Sequence, residues 1–392
     1  MSMNNPSHDI IARHTDDLVE RVLAAIGEQN VRSIFVAGSV AGGEVSCRIA
    51  DDVVEVYSDV DLYVVVGDGV DRESARRGAR EAAAGVPLEA PGYRICSGPD
   101  VGVYTFADLA AQPARPGTVG LGRYHRVVFG DGELAGQASE RIGENIVSEE
   151  ALYLLENRLG ELAGMRTREG DGTVPACGGR FETFVLCKTG LDVASAGLID
   201  RGRFHPLRGE RVERFESLVE ESRDDPVWDA GEIAVVRDCR DRLEKLPSAD
   251  WDTGFDAAAG DAVVAAVLSQ WKKIAAKTLG GHEDDWCDLV LRRCHTGDYM
   301  ENFRQFRAIN ARCGFKRRGG TAAGVHLSRY SAADALRLSA LTDYLSRNAS
   351  VRPDIGRLIA ALGPYLDRLT GECGFTEGSL AERSFQMYRA IQ

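Results

Sequence analysis

The residues with the clearest chemical potential are two aspartates at alternate positions, Asp59 and Asp61, at the start of an apolar segment that ends at Val66. In a β-strand, side chains at positions i and i+2 project from the same face. The two carboxylates are therefore expected side by side, while Val60 and Leu62 point to the opposite face. Neighbouring carboxylates repel each other unless a cation or a proton lies between them. The spacing therefore predicts a metal site at the start of this strand.

A second apolar segment precedes this pair and ends in a glycine and a serine. Residues 34–37 read Ile-Phe-Val-Ala and are followed by Gly38 and Ser39. A glycine-serine turn that opens a helix offers backbone N–H donors and a small hydroxyl, which suit a phosphate chain. Nucleotidyl transfer needs such donors for the leaving phosphates, together with carboxylates that hold Mg²⁺. The two segments together favour a nucleotide-phosphate site over a generic metal site.

In this order, the residues resemble the motif of the DNA polymerase beta-type nucleotidyltransferase superfamily. Gly38, Ser39, Asp59 and Asp61 match its glycine-serine and Asp-x-Asp positions, each beside an apolar strand. The resemblance implies that the aspartates bind Mg²⁺, with Mn²⁺ as an alternative. It also implies that the glycine and the serine hold the β- and γ-phosphates of an NTP, with ATP as the expected one. The spacer is longer than is usual in the family, and residues 48–55 read as an insertion or a hairpin.

The family also has a third carboxylate on a later strand. Asp100 is the best match, because it opens the strand-like segment 101–105. The resemblance implies that this residue helps to hold the catalytic metal and favours the deprotonated acceptor hydroxyl. Glu89 is the alternative, and Asp108 is a poorer one because it is expected on a helix.

A mixed α/β domain is predicted to position these residues, and the resemblance covers about residues 20–130 of it. The fold class expected is an α+β nucleotidyltransferase domain with a mixed sheet, residues 1–148, followed by an all-α acceptor-binding domain, residues 149–392, with a further division near 280. The predicted strands are 31–37, 53–66, 93–95, 100–106 and 126–129, and the predicted helices of the first domain are 8–28, 39–47, 71–84 and 106–111. The predicted helices of the second domain are 149–166, 180–200, 208–222, 229–246, 256–278, 283–294, 298–312, 332–347, 353–371 and 378–391.

Basic residues in the helical half offer further phosphate contacts. Lys188 lies one helical turn before Asp192, and similar nucleotidyltransferases carry a basic residue on the first helix of this domain that reaches the triphosphate. A surface salt bridge between the two is the alternative. A basic cluster with interleaved phenylalanines lies at residues 303–318. It fits either phosphate binding or the solvated face of an amphipathic helix.

The cysteine pattern indicates free thiols. The chain has nine cysteines, an odd number without regular spacing, which argues against a disulfide framework. His282, Cys287, Cys294 and His295 lie close together, but their spacing is poor for zinc, so buried thiols are the preferred interpretation.

Composition limits the class of partner. The chain of 392 residues carries a net charge of −13, which argues against wrapping long nucleic acid. No apolar segment reaches the length of a membrane span and no signal peptide is evident, so a cytoplasmic protein without membrane contact is expected. The expected partners are an NTP and a small hydroxylated acceptor, with protein or nucleic acid less favoured. The alternatives are a noncatalytic regulatory or antitoxin-like protein and a cyclic-dinucleotide synthase.

Overall fold

The computed structural model describes residues 6–50, 52–171, 179–222, 226–247, 251, 256–283 and 285–294. Their contacts divide the chain into two compact units. The first unit contains the described residues up to Glu150 together with those between 179 and Asp256. The second contains the segment from Ala151 and the segment from Ala257 onward. The predicted boundaries at residue 148 and near 280 stay predictions, as does the basic cluster at 303–318, which lies outside the described residues.

The described residues form a mixed α+β structure with two sheets. The strands are β1 (Val31–Ala37), β2 (Cys47–Ala50), β3 (Val53–Val56), β4 (Asp61–Val66), β5 (Glu89–Ala90), β6 (Tyr93–Ile95), β7 (Asp100–Thr105) and β8 (Arg126–Gly130). The helices of the first unit are α1 (Pro6–Ile26), α2 (Gly38–Ala41), α3 (Arg72–Ala84), α4 (Phe106–Ala110), α5 (Pro116–Val119), α6 (Glu133–Ile142), α8 (Gly179–Asp200), α9 (Arg208–Glu221) and α10 (Ala230–Glu244). The remaining helices are α7 (Glu149–Asp171), α11 (Ala257–Leu279) and α12 (Trp286–Cys294).

Both sheets are mixed, and the first one carries the predicted site. Its strand order is β7-β4-β1-β8, and β4 runs antiparallel to β1 and parallel to β7. The end of β1 and the starts of β4 and β7 therefore meet at one edge of the sheet. The second sheet has the order β2-β3-β6-β5, with β3 and β6 parallel.

The central strand β1 is apolar on both faces because helices cover both. Ile34 and Val36 are fully buried in the core shared with α1 and α3. Phe35 and Ala37 face a second core that includes residues of α4 and α6. A strand buried on both sides reads as a continuous apolar run rather than an alternating one. This is why the sequence predicted its bounds correctly.

The predicted long strand 53–66 is broken between Val56 and Asp61, and its two parts belong to different sheets. The spacer 48–55 is part of the β2–β3 hairpin, in which Cys47 pairs with Val56. The predicted helix 39–47 is wrong beyond Ala41. The chain turns at Gly43, whose φ is +72°, and enters β2 at residue 47. Pairing with β3 decides this segment, which local periodicity does not reveal.

The β2–β3 hairpin and the residue that follows it contact helix α8 of the same unit. Glu55 is buried, at 3% exposure, and accepts hydrogen bonds from the Tyr57 hydroxyl at 2.8 Å and from Arg180 at 3.0 Å. The Tyr57 ring packs against Phe184, with their centroids 5.3 Å apart. Burial, followed by the hydrogen bond to Glu55, raises the pKa of Tyr57. The end of the long spacer thus contacts α8 through residues that lie directly before Ser58 and Asp59.

A second link within the first unit joins the loop after α2 to α9. The half-buried carboxylate of Glu44 accepts the backbone N–H groups of Arg208 at 2.8 Å and Gly209 at 3.0 Å. These N–H groups open α9 and have no partner within the helix. Glu44 therefore acts as an N-terminal cap supplied by a distant part of the chain.

We expect Glu44→Ala to lower the free energy of unfolding by about 1 kcal/mol, the usual value of a helix cap. Chemical denaturation monitored by circular dichroism measures the change. Glu81→Ala removes an exposed glutamate of α3 and serves as the control, with an unchanged midpoint expected. Equal midpoints for the two variants would contradict the capping role.

The second unit has a buried polar centre of its own. Glu156 of α7 is 1% exposed and accepts hydrogen bonds from the Trp271 indole at 3.0 Å and from Arg293 at 2.9 Å. A buried carboxylate needs such partners, because an unpaired buried charge is strongly destabilising. This set fixes α7, α11 and α12 against one another.

The prediction of free thiols is wrong for Cys96. Cys96 is disulfide-bonded, whereas Cys47, Cys187 and Cys239 carry free thiols. Spacing along the chain does not report which thiols meet in space, which is the reason for the error. The predicted zinc alternative falls partly outside the described residues, because these exclude His295.

Among the helices of the described residues, none combines the length and the apolar character needed to cross a membrane.

Candidate functional site

The sheet brings three of the predicted residues together at one edge. In the register of the first sheet, Asp61 at the start of β4 pairs with Ala37 at the end of β1 and with Asp100 at the start of β7. Gly38 follows Ala37 directly. Asp61 is therefore the central residue, with the glycine-serine turn on one side and Asp100 on the other.

Gly38 is required by the position of the Asp61 carboxylate. Its φ is +66°, and a Cβ added to it would lie 2.1 Å from Asp61 Oδ2. A positive φ favours glycine, and the contact leaves no space for any side chain. The absence of a side chain at Gly38 leaves a space, the Gly38 cradle, in which the Asp61 carboxylate lies against the backbone at the end of β1.

The electrostatics of Asp100 show that a second carboxylate lies near it. Asp100 keeps solvent contact, but the protein around its carboxyl removes part of the hydration, which raises its pKa, and the negative charge of Asp59 raises it further. Arg80 opposes these effects with its positive charge. The predicted repulsion was between Asp59 and Asp61, whereas the structure shows it between Asp59 and Asp100, and a bound cation would relieve it.

The donor set suits a hard cation, because aspartate carboxylates are the oxygen ligands that Mg²⁺ prefers. Nevertheless, no group of three or more His, Cys, Asp and Glu side chains within the described residues is placed to hold a metal ion. Asp61 and Asp100 share one edge of the sheet, and the three predicted carboxylates do not close around a common point. Asp59 lies in the segment directly before β4, so the predicted alternation of Asp59 and Asp61 along one strand is wrong at Asp59. The Gly38 cradle and the repulsion at Asp100 are the observations that fit a cation.

Two tyrosines extend the site along the strands. Tyr63 of β4 and Tyr104 of β7 stack with ring centroids 5.8 Å apart and an interplanar angle of 17°. The Tyr104 ring lies over Gly102, where an added Cβ would approach its Cε2 to 2.5 Å. Burial raises the pKa of both phenols, and the charge of Asp100 contributes in each case, so both hydroxyls stay protonated near neutral pH.

A cavity of about 290 Å³ opens beside these residues. It is lined by Asp61, Asp100, the two tyrosines, neighbouring residues of β4 and β7, and Arg76 and Arg80 of α3. The volume lies at the lower end of the range for small-molecule sites. Two carboxylates and two guanidinium groups thus face one small, aromatic-walled space.

The weaker candidates for the third carboxylate lie elsewhere. Glu89 is on β5 of the second sheet and forms an ion pair with Arg94 at 2.6 Å. Asp108 is on helix α4, as expected. It accepts hydrogen bonds from Thr105 and pairs with Arg72, so that the Thr105 hydrogen bond, followed by Arg72, lowers its pKa.

Of the two remaining candidates, Ser39 lies on α2 directly after β1, whereas Lys188 lies on α8. Ser39 is half-buried in the one-turn helix α2, and its carbonyl accepts the Glu44 N–H at 2.8 Å. The long spacer does not displace it from the edge, because Ala37 and Asp61 stay in register. Lys188 lies half-buried in the middle of α8 and does not line the cavity. Its ammonium forms no ion pair with Asp192 within the described part of the chain.

Four residues of the site were missed at the sequence level. Arg76 and Arg80 are one helical turn apart in the predicted helix 71–84, and this i, i+4 spacing was the available signal. Tyr63 and Tyr104 continue the i+2 series of Asp61 and Asp100 along their strands, so alternation could have placed them on the same face.

Comparison with known proteins adds no family assignment, because no protein-family model matches the chain and no curated protein is detectably similar to it.

Proposed function

We propose that the protein is a Mg²⁺-dependent nucleotidyltransferase that moves NMP, with AMP expected, from NTP to a small hydroxylated acceptor with release of pyrophosphate. The observation that carries the proposal is the register of the first sheet. It places Asp61 between the Gly38–Ser39 turn and Asp100 at one edge. This is the arrangement that transfer needs, with a place for phosphates and a place for an acceptor on opposite sides of a carboxylate.

In the proposed reaction the acceptor oxygen forms a bond to the α-phosphorus, and the bond to the oxygen that bridges to the β-phosphate breaks. Pyrophosphate leaves with that electron pair. Asp59, Asp61 and Asp100 would hold Mg²⁺, which supplies charge neutralisation at the attacking and leaving oxygens. The Gly38–Ser39 backbone and hydroxyl would bind the β- and γ-phosphates, with Lys188 a further candidate for that role.

Asp100 would receive the proton of the acceptor hydroxyl. Its position at the start of β7, in register with Asp61 and lining the cavity, supports this role. The fold proposed for the first domain is the nucleotidyltransferase fold, followed by an all-α domain that binds the acceptor.

Incubation with Mg²⁺, α-labelled NTPs and a set of small hydroxylated acceptors that includes sugars and sugar phosphates tests the proposal. We expect pyrophosphate release in wild type, its loss on chelation of Mg²⁺, and a reduction of at least about 100-fold in Asp59→Asn. Asp52→Asn, at an exposed position of the hairpin turn, is the matched control and should keep full activity. Unchanged release in Asp59→Asn would remove the metal assignment, and no release from any NTP by wild type would favour the noncatalytic alternative.

A further inference from the structure

The two arginines of α3 lie on one side of the site only. The strand order β7-β4-β1 places Gly38 and Ser39 on the β1 side of Asp61 and the cavity with Arg76 and Arg80 on the β7 side. The glycine and the serine do not line that cavity. If the NTP phosphates bind at Gly38–Ser39, the arginines face the other substrate.

Both guanidinium groups have capacity for a further partner. Arg80 is exposed and forms no ion pair or hydrogen bond within the described residues, while its charge acts on Asp100. Arg76 pairs only loosely with the exposed Glu73, at 3.4 Å. Exposed pairs of this kind contribute little and are readily exchanged.

The pair Arg76 and Arg80 stands out as a positively charged feature because the chain as a whole is acidic. The protein carries a net charge of −13, so it does not attract anions in general. Two arginines one helical turn apart at a cavity of about 290 Å³ are therefore a local feature of the site. Guanidinium groups match the geometry of phosphate oxygens, and the adjacent Tyr63–Tyr104 stack offers a surface for a sugar ring.

We propose that the acceptor is a small hydroxylated molecule that carries a phosphate group, and that Arg76 and Arg80 bind this phosphate. The identification of the bound molecule as the acceptor rests on the proposed function, whereas the existence of a phosphate site does not. It favours phosphorylated sugars over aminoglycoside-like acceptors, whose positive charges would meet two like charges here.

The first experiment measures binding rather than turnover. Inorganic phosphate is titrated calorimetrically into wild type, Arg76→Gln/Arg80→Gln and Arg77→Gln, in the presence of Mg²⁺ and saturating α,β-methylene-ATP, which occupies the Gly38–Ser39 side. Arg77 is an exposed arginine of the same helix that does not line the cavity, which makes its variant the matched control. We expect equal affinity in wild type and the control, and a loss of at least about tenfold in the double variant.

Equal phosphate affinity in all three proteins, or no binding by wild type, would overturn the inference. If the double variant proves to be misfolded by circular dichroism, Arg80→Gln alone replaces it, with a loss of at least about threefold expected. An arginine pair that served only to balance Asp100 would leave phosphate affinity unchanged.

The second experiment compares matched acceptors with α-labelled ATP: glucose with glucose 6-phosphate, ribose with ribose 5-phosphate, and neamine as a cation. Label transfer is expected to the phosphorylated members, with a KM that rises in Arg76→Gln/Arg80→Gln while the KM for ATP stays constant. Transfer to neamine or to the neutral sugars alone would overturn the inference and leave the proposed function standing. Arginine-dependent phosphate binding without Asp59-dependent pyrophosphate release would support the phosphate site and contradict the proposed function.

Discussion

Asp61→Asn is expected to lower kcat/KM for nucleotidyl transfer by at least about 1,000-fold. Asp61 is the one predicted ligand that pairs in register with both neighbours, at Ala37 and at Asp100. An amide of the same size keeps the shape of the site but removes the charge that would hold Mg²⁺. The loss should therefore appear in kcat as well as in KM for ATP.

The stability of this variant separates a chemical role from a structural one. Asp61→Asn keeps the size and shape of the side chain, so we expect a melting temperature within about 3 °C of wild type. Asp68→Asn is the control, because Asp68 is exposed in the turn that follows the same strand. A folded Asp61→Asn protein that keeps activity within about tenfold of wild type would contradict the central role of this carboxylate.

Gly38→Ala is expected to reduce activity by at least about 100-fold and to lower the free energy of unfolding by about 1–2 kcal/mol. Two effects combine at this position. The φ of +66° strains any other residue, and the new Cβ would lie 2.1 Å from Asp61 Oδ2. The carboxylate must move, and a displacement of about 1 Å in a reacting site is enough for the activity loss.

The chain offers a control that separates these two effects. Gly43 has a φ of +72°, but an added Cβ meets nothing within 4 Å. Gly43→Ala should therefore show a similar loss of stability with activity within about threefold of wild type. In the Asp61→Asn background, Gly38→Ala should cause little further loss of activity, because the two changes act on the same group. Fully additive losses in that double variant would mean that Gly38 acts independently of Asp61.

Much of the first unit could be predicted from the sequence. The run of apolar residues from Val31 to Ala37 fixed β1, because a strand covered on both faces has no alternation to misread. The helical character after residue 148 likewise follows from local periodicity, within the described residues. Asp59, Asp61 and Asp100 were chosen from spacing and from the resemblance. The sheet pairs Asp61 with Asp100 at one edge, and Asp59 lies in the segment directly before β4.

The second sheet could be predicted only in part. The predicted strand 93–95 and the hairpin alternative at 48–55 match β6 and the β2–β3 hairpin, whereas the parallel pairing of β3 with β6 joins segments that are far apart in the chain. Residues 39–47 looked helical, yet Cys47 pairs with Val56 across a hairpin. Glu55 has partners in Tyr57, in Arg94 of β6 and in Arg180 of α8. Local propensity is weak at such positions, and tertiary contacts override it.

By itself, the sequence determined the candidate residues and the strands on which Asp61 and Asp100 lie, because apolar runs and side-chain alternation are local properties of the chain. Only the tertiary structure decided their relations. It set Asp61 between Gly38 and Asp100, and it turned Arg76 and Arg80 toward the cavity. It also showed that Gly38 is a glycine because the Asp61 carboxylate occupies the place of a side chain. These relations depend on strand order and helix packing, which join residues that are far apart in the chain.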